Sequence, residues 1–206
     1  MKVLLVNGSP REKGCSYTAL CAMQKVFGGE NIEAEIFWIG NSPVSGCIGC
    51  GSCRKTGKCF RDDCVNAFVE KAKEADGFVF ASPVHYASMS GALTSFMDRA
   101  FYSGGKYLAL KPAAGVVSCR RGGATAAFDQ INKYFSINRM PIITSVYWNM
   151  VHGNTPEEVL QDKEGINTVE ILAKNMSWML KLIESGKANG IPYPEDPEKI
   201  KTNFIR

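Results

Sequence analysis

The sequence predicts an α/β fold, a doubly wound five-stranded parallel sheet of strand order 2-1-3-4-5 with helices on both faces. Three observations indicate this class. Five short apolar runs alternate with segments of helical periodicity, the pattern of a parallel sheet joined by crossover helices. The third run, residues 77–82, is apolar almost throughout, as a central strand buried on both faces would be. The first run ends in a turn rich in glycine and hydroxyl groups, and ligands of such sheets bind beyond the strand ends, here between strands one and three.

The first two predicted strands enclose one helix. Residues 2–6 are an apolar run, and residues 16–27 carry apolar side chains at helical spacing. Gly28 and Gly29 are predicted to end that helix, because glycine readily takes the left-handed conformation that closes helices. Residues 34–39 are rich in β-branched and aromatic side chains and are predicted as the second strand.

The same two periodicities predict the remaining elements. Further strands are placed at residues 77–82, 113–118 and 142–148. Further helices are placed at residues 65–75, 93–101, 125–137, 156–162 and 166–183. The helix at 156–162 has a capping box, because Thr155 can cap it, Pro156 suits its first position and Glu158 its third.

Length and composition indicate one globular domain. The 206 residues fit a domain over residues 1–185, with a cysteine-rich loop at 46–64 and an extended tail at 186–206. Three prolines mark that tail: Pro192, Pro194 and Pro197. The net charge of +4 is too small to indicate nucleic-acid binding. Apolar runs of only strand length predict no transmembrane helix.

The beginning of the chain and its thiols predict a cytoplasmic location. The sequence passes directly into a strand, with no apolar export signal. Eight cysteines without such a signal favour thiol chemistry in a reducing compartment over a disulfide framework. Cys15, Cys21 and Cys119 are interpreted as small hydrophobic residues or idle thiols.

The turn after the first strand predicts a phosphate site. A strand, a glycine-rich turn and a helix start follow one another, and the helix start points free N–H groups and a positive dipole end at the turn. Ser9, Ser16 and Thr18 can add hydroxyl groups, and Arg11 a fixed positive charge. Neither the dinucleotide fingerprint nor the P-loop pattern is present, which favours a mononucleotide phosphate. The alternative is an ordinary turn in which Ser16 caps the helix.

Two loop motifs resemble a known family. The segment Gly8-Ser9-Pro10-Arg11-x-x-Gly14-x-Ser16 resembles the phosphate loop of the NAD(P)H-dependent FMN reductases of flavodoxin-like fold. The segment Ala81-Ser82-Pro83-Val84-His85-Tyr86-x-x-Met89-Ser90-Gly91 resembles their flavin-ring loop, and Phe96-Met97-Asp98-Arg99 fits the helix that follows it. The resemblance covers roughly residues 1–185. It implies bound FMN, NAD(P)H as a substrate, a cytoplasmic location, and homodimers or homotetramers with flavin sites at subunit interfaces.

The resemblance also implies which residues contact the flavin. Phosphate contacts fall on Ser9, Arg11, Ser16, Tyr17 and Thr18. Ring contacts fall on Pro83, Val84, His85, Tyr86, Met89 and Gly91. A third flavin loop falls on Arg120, Arg121, Gly122 and Gly123. The chemistry of a flat ring agrees with these contacts, since such a ring needs apolar walls and close approach of the backbone. Arg120 or Arg121 could balance the negative charge of the reduced ring or bind the phosphates of a nicotinamide cofactor.

A compact cysteine motif predicts a metal cluster. Cys47-x2-Cys50-x2-Cys53-x5-Cys59 lets successive thiolates converge on a 4Fe–4S cluster and is similar to the motif of the iron–sulfur flavoproteins, a branch of the same family. Zinc sites more often show two separated C-x2-C pairs. Cys64 could replace Cys59 as the fourth ligand. The alternative is a cluster-free, glycine-rich loop that covers the flavin.

The sequence therefore favours an FMN-dependent NAD(P)H oxidoreductase that passes electrons to an acceptor such as a flavin or a quinone. No side chain is predicted as a catalytic base, because the hydride chemistry belongs to the flavin. Two alternatives stay open. One is an iron–sulfur flavoprotein that carries electrons between proteins, and the other is a non-enzymatic flavin-binding protein with a structural zinc site.

Overall fold

The computed structural model describes residues 1–196, 198, 200 and 202, and at its centre lies a mostly parallel sheet. Its strands are β1 (Lys2–Asn7), β2 (Glu33–Trp38), β3 (Gly77–His85), β4 (Ser88–Met89), β5 (Ala113–Cys119) and β6 (Met150–His152). Its helices are α1 (Cys15–Gly29), α2 (Ser52–Thr56), α3 (Cys64–Ala72), α4 (Gly91–Leu108), α5 (Ala124–Ile137), α6 (Pro156–Gln161) and α7 (Lys163–Ala188). The order β2-β1-β3-β5-β6 is the predicted one once the small hairpin strand β4 is set aside.

Both faces of the sheet are covered by helices. Successive side chains of a strand point to opposite faces, so Leu4 and Val6 lie in one core cluster and Val3 and Leu5 in the other. The first cluster is packed by side chains of α3, α4 and α5, and is rich in phenylalanine. The second is packed by side chains of α1 and α7. No helix in the described part of the chain is long and apolar enough to cross a membrane.

The predicted fifth strand at 142–148 is wrong. Only Ile142 forms an isolated bridge, with Ala113, and the strand beside β5 is instead β6. The reason is Asn149. Its buried side-chain amide donates to the Gly115 carbonyl at 3.1 Å, and its backbone carbonyl accepts the Val117 N–H at 3.0 Å. The Asn149 side chain thus occupies a carbonyl of β5 that a strand backbone would otherwise bind. The preceding segment leaves the sheet, and its aromatic residues are exposed.

A hairpin within the ring loop was not predicted. The end of β3 pairs antiparallel with β4, and the two connecting residues, Tyr86 and Ala87, have φ of 51° and 56°. This is the geometry of a type I′ turn, which usually contains Asn or Gly. Neither is present, so the sequence indicated only a loop. The hairpin is held from α5, because the Gln130 side chain accepts from the Ser88 hydroxyl at 2.8 Å and from the Met89 N–H at 3.0 Å.

The predicted tail at residues 186–206 lies only partly within the described residues. Helix α7 continues to Ala188, and the described residues that follow it form no further helix or strand. Pro197, Lys199, Lys201 and residues 203–206 lie outside the described residues. The division into a domain at 1–185 and a tail at 186–206 stays a prediction.

Candidate functional site

A ligand pocket lies at the carboxyl edge of the sheet. It has a volume of about 280 Å³ and is formed by the segments that follow β1 and β6 and by the carboxyl ends of β3 and β5. It is lined by Ser9, Pro10, Arg11, Cys15, Ser16, Pro83, Val84, His85, Ser118, Cys119, Arg120, Gly153 and Asn154. This is the edge between strands one and three that the sequence predicts for a ligand.

The turn after β1 is held from two sides. The fully buried Asn7 donates from Nδ2 to the Glu12 carbonyl at 2.8 Å and accepts the Ser9 N–H on Oδ1 at 3.1 Å. From β2, the Trp38 indole N–H donates to the Ser9 carbonyl at 2.8 Å. These bonds fix the backbone that presents Ser9 and Arg11. Neither Asn7 nor Trp38 was predicted at the site, because an asparagine at a strand end and a tryptophan in the next strand carry no local signal of this role.

The turn and α1 fit an anionic group. Helix α1 has Gly14 as its N-cap, and no described side chain caps it, so its first N–H groups stay available to a ligand. Ser16 is therefore not the N-cap, and the alternative of an ordinary turn in which Ser16 caps the helix does not apply. Its hydroxyl is hydrogen-bonded to that of Ser118 at 2.9 Å. With Arg11 alongside, this is the donor set that a phosphate needs.

Seven of the predicted flavin contacts lie together around the pocket: Ser9, Arg11, Ser16, Pro83, Val84, His85 and Arg120. Eight do not line it: Tyr17, Thr18, Tyr86, Met89, Gly91, Arg121, Gly122 and Gly123. The Thr18 hydroxyl donates back to the Gly14 carbonyl within the helix, and Met89 is buried in the core. Tyr86 is fully exposed at the tip of the hairpin.

The third loop packs directly on the hairpin. Gly123, at the start of α5, has φ +86°, and a Cβ added there would lie 2.8 Å from the Ala87 Cα. The backbone of Gly123 thus packs directly against the backbone of Ala87. Only glycine permits this close approach, because any side chain at position 123 would clash. This contact joins the Arg120–Gly123 loop to the hairpin, and the pocket is lined by Arg120 from the loop and by Val84 and His85 from the β3 end of the hairpin.

Several lining residues were not predicted as contacts. Ser118 and Cys119 end β5, and the rule that ligands bind at strand ends could have identified them. Cys15 donates from Sγ to the Gly153 carbonyl at 3.7 Å, which joins α1 to the segment after β6. Burial raises the pKa of the Cys15 thiol and that of the Cys119 thiol, so both stay protonated near neutral pH.

A second cavity holds the cysteine motif. It has a volume of about 270 Å³, lies between the cysteine-rich loop and α4, and is lined by all four predicted ligands, Cys47, Cys50, Cys53 and Cys59. Cys64 is the first residue of α3 and does not line it, and burial raises the pKa of its thiol. Among the described residues, no three metal-binding side chains converge on the position of a single ion.

The chemistry of this cavity suits a thiolate-held anionic cluster. The Arg61 Nε is buried without a hydrogen-bond partner, and Arg61 lines the cavity. A buried donor without a partner costs free energy, which an electron-rich sulfur at that place would recover. A hydrogen bond with the Ser52 hydroxyl lowers the pKa of the Cys50 thiol, which favours the thiolate form that binds metals. In a four-cysteine cubane the sulfurs need not converge on one ion.

A model of the NADPH-dependent FMN reductase family matches residues 1–155. The chain belongs to this family. Membership makes FMN its cofactor and flavin oxidoreduction its class of activity. The predicted family, fold and FMN cofactor are confirmed, whereas the individual flavin and cluster contacts stay predictions.

Relatives and solved structures agree with this membership. The chain is 31% identical over 195 residues to an iron–sulfur flavoprotein of Methanocaldococcus jannaschii, covering 89% of this chain and 100% of the relative. It is 29% identical over 192 residues to an iron–sulfur flavoprotein of Methanosarcina thermophila, covering 91% of this chain and 99% of the relative.

The solved structures show the same fold. RosB with a bound intermediate superposes with a TM-score of 0.70 at 15% identity, over 100% of this chain and 92% of that chain. A flavodoxin from the domain Archaea superposes with a TM-score of 0.61 at 14% identity, over 88% of this chain and 99% of that chain. Identities this low show the flavodoxin-like fold alone.

Replacing Arg11 with alanine is expected to weaken FMN binding by about 1–3 kcal/mol, or roughly 5- to 150-fold, because a charge-assisted hydrogen bond is lost. Fluorescence titration of the apoprotein with FMN measures this. Ser9→Ala should act similarly, since the Ser9 hydroxyl also accepts the Arg11 N–H at 3.1 Å. Lys13→Ala removes a cation from the same turn that does not line the pocket, and is the matched control. Unchanged affinity in both Arg11→Ala and Ser9→Ala would show that the turn does not hold the phosphate.

Proposed function

We propose that this chain is an iron–sulfur flavoprotein that transfers electrons between FMN in the ligand pocket and a 4Fe–4S cluster in the cysteine cavity. The observation that carries the proposal is the cavity lined by Cys47, Cys50, Cys53 and Cys59, with the unpartnered Arg61 Nε buried in its wall. The two archaeal relatives, both iron–sulfur flavoproteins, support it. Together they put electron transfer ahead of the plain reductase that the sequence favoured.

The pocket residues have distinct roles in this proposal. The turn after β1 and the uncapped start of α1 hold the phosphate, with Arg11 supplying charge. Pro83 and Val84 give the ring an apolar wall, and Arg120 brings a positive charge that favours an electron-rich ligand. When bound, FMN supplies two-electron exchange with a donor and one-electron exchange with a cluster. The four cysteines, as thiolates, hold the cluster.

A nicotinamide donor is the second part of the proposal. The exposed Arg120 lines the pocket, and Arg121, the next residue, is exposed as well, so Arg120 offers a cation at the pocket and Arg121 a second one adjacent in the chain to which phosphates of NADH or NADPH could bind. The test is an anaerobic absorbance spectrum before and after addition of each nucleotide. Loss of the flavin band on addition supports direct oxidation of NAD(P)H. An unchanged spectrum with both nucleotides would leave electron transfer from a protein partner as the function.

Anaerobically purified protein is expected to be brown, with FMN and about four irons per chain, as a four-cysteine cubane requires. Heat release and chromatography identify the flavin, and iron and sulfide assays measure the cluster. Zinc in place of iron would favour the structural-site alternative. Recovery of FAD, or yellow iron-free protein after reconstitution with iron and sulfide, would contradict the assignment.

We also propose a cytoplasmic homo-oligomer, either a dimer or a tetramer. Val146, Tyr147 and Trp148 are exposed just before the edge strand β6, and the two aromatic rings contact each other at a tilt, with centroids 5.2 Å apart and an interplanar angle of 56°. Such an apolar surface favours burial against another subunit. Light scattering at micromolar concentration is expected to give a multiple of the chain mass, and a monomer would refute the proposal. Free thiols throughout the described chain suit a reducing compartment.

A further inference from the structure

Arg99 buries a guanidinium group directly beside the cysteine cavity. It lies within α4, its side chain is only 2% exposed, and it lines the cavity. Its Nε donates to the Cys59 Sγ at 3.3 Å. Nη1 donates to the Ser45 carbonyl at 3.3 Å and to the Asp63 carboxylate at 2.6 Å, and Nη2 to the Arg61 carbonyl at 3.1 Å and to the same carboxylate at 2.9 Å. All five N–H donors of the guanidinium are therefore used.

These five bonds join the two ends of the cysteine-rich loop. Ser45 lies just before the first cysteine of the motif, whereas Arg61 and Asp63 lie just after the last. Asp63 also caps α3 by accepting the Val65 N–H at 3.0 Å. A single buried side chain thus ties both ends of the loop to α4 and to the start of α3.

Cys59 is the cysteine that these contacts hold most firmly. Asn66 on α3 binds its backbone on both sides, accepting the Cys59 N–H at 3.0 Å and donating to the Cys59 carbonyl at 3.0 Å. Arg99 then holds the sulfur. By contrast, Cys47 and Cys50 are exposed, on a stretch where Gly49 and Gly51 take left-handed conformations. Cys59 is therefore preorganised, and Cys53 is held in α2 with its Sγ donating to the Tyr102 carbonyl at 3.6 Å, whereas Cys47 and Cys50 lie on a stretch that can adjust around a bound group.

An N–H donor to a ligand sulfur also changes the electronics of a cluster. Hydrogen bonds to the sulfurs and nearby charge are among the factors that set the reduction potential of iron–sulfur clusters. A cationic donor stabilises the reduced state, which carries one more negative charge. We infer that Arg99 is a positioning residue that presents Cys59 to the cluster and, through its Nε–H, raises the reduction potential of that cluster. This inference rests on the proposed cluster in the cysteine cavity.

The test is a potentiometric titration of the anaerobically reconstituted holoprotein, followed by electron paramagnetic resonance, with iron per chain measured in parallel. Arg99→Met is expected to lower the midpoint potential and to weaken cluster retention against a chelator roughly 10- to 100-fold. Asp63→Asn also breaks the ion pair but removes a negative charge, so it should not lower the potential. Arg54→Met removes an exposed cation from the lining of the same cavity, and should change the potential less than Arg99→Met.

Each outcome decides the inference. If Arg99→Met and Asp63→Asn lose stability alike while both keep the wild-type potential, Arg99 has only a structural role and the inference is overturned. If Arg99→Met does not fold, Arg99→Gln removes the charge while keeping an N–H donor, and a wild-type potential and iron content in that variant would overturn the inference equally. If the wild-type protein itself binds no iron and sulfide, the proposed cluster fails, and the inference fails with it.

Discussion

Replacing Cys50 with serine is expected to abolish iron binding and leave FMN in place. Cys50 is the second of the four cysteines of the compact motif and lines the cysteine cavity. A serine hydroxyl is a poor ligand for iron in a sulfur-ligated cluster, because that cluster selects soft thiolates. Among the residues that the structure describes, none lines both the cysteine cavity and the ligand pocket, so the flavin contacts should survive the change. Iron and sulfide content should fall from about four per chain to near zero, with an unchanged ratio of FMN to protein.

Cys64→Ser is the matched control for this prediction. Cys64 lies close to the motif in sequence but does not line the cavity, and its thiol pKa is raised by burial, which disfavours the thiolate. This variant should keep its iron. Wild-type iron in Cys50→Ser would exclude that residue as a ligand. Loss of iron in Cys64→Ser together with retention in Cys59→Ser would make Cys64 the fourth ligand.

Replacing Gly123 with alanine is expected to destabilise the protein by roughly 2–5 kcal/mol, from the left-handed conformation and from overpacking. The new Cβ would lie 2.8 Å from the Ala87 Cα and 3.1 Å from a Val84 methyl group, and the backbone atom cannot rotate away. The melting temperature should fall by roughly 5–15 °C for a chain of this size. FMN affinity should fall as well, because Val84 lines the ligand pocket.

Gly122→Ala provides the comparison at the neighbouring position. A Cβ at Gly122 would meet no described atom within 4 Å, so the melting temperature should change little. A calorimetric scan of both variants, with and without added FMN, measures the difference. Equal melting temperatures for the two variants would mean that the Arg120–Gly123 loop does not pack on the hairpin as the structure has it.

The sequence predicted well those features that depend on neighbouring residues in the chain. The apolar run of β1, the turn after it and the periodic start of α1 follow one another without interruption, so their order alone indicates an anion site. The spacing of the cysteines similarly indicates one cavity, since the residues are only a few positions apart. The strand order could also be predicted, because the rules for crossover connections in parallel sheets allow only a small number of topologies.

The errors arose where a distant side chain decides a local conformation. Residues 142–148 have the composition of a strand, yet the Asn149 amide occupies the Gly115 carbonyl and turns the segment outward. The hairpin at Tyr86 and Ala87 lacks the usual turn residues and is held by Gln130 of α5. Local propensity is weak compared with such tertiary hydrogen bonds, and it therefore misplaced both segments.

The sequence by itself determined the order of the strands, the family motifs and the two kinds of chemistry, phosphate binding and thiolate ligation. Only the tertiary structure decided which groups support them. Trp38 reaches the turn after β1 from the neighbouring strand, and Arg99 reaches Cys59 from α4 across a sequence separation of 40 residues. The physical reason is that buried hydrogen-bond donors must find acceptors wherever the packed chain brings them, and no local periodicity encodes that pairing.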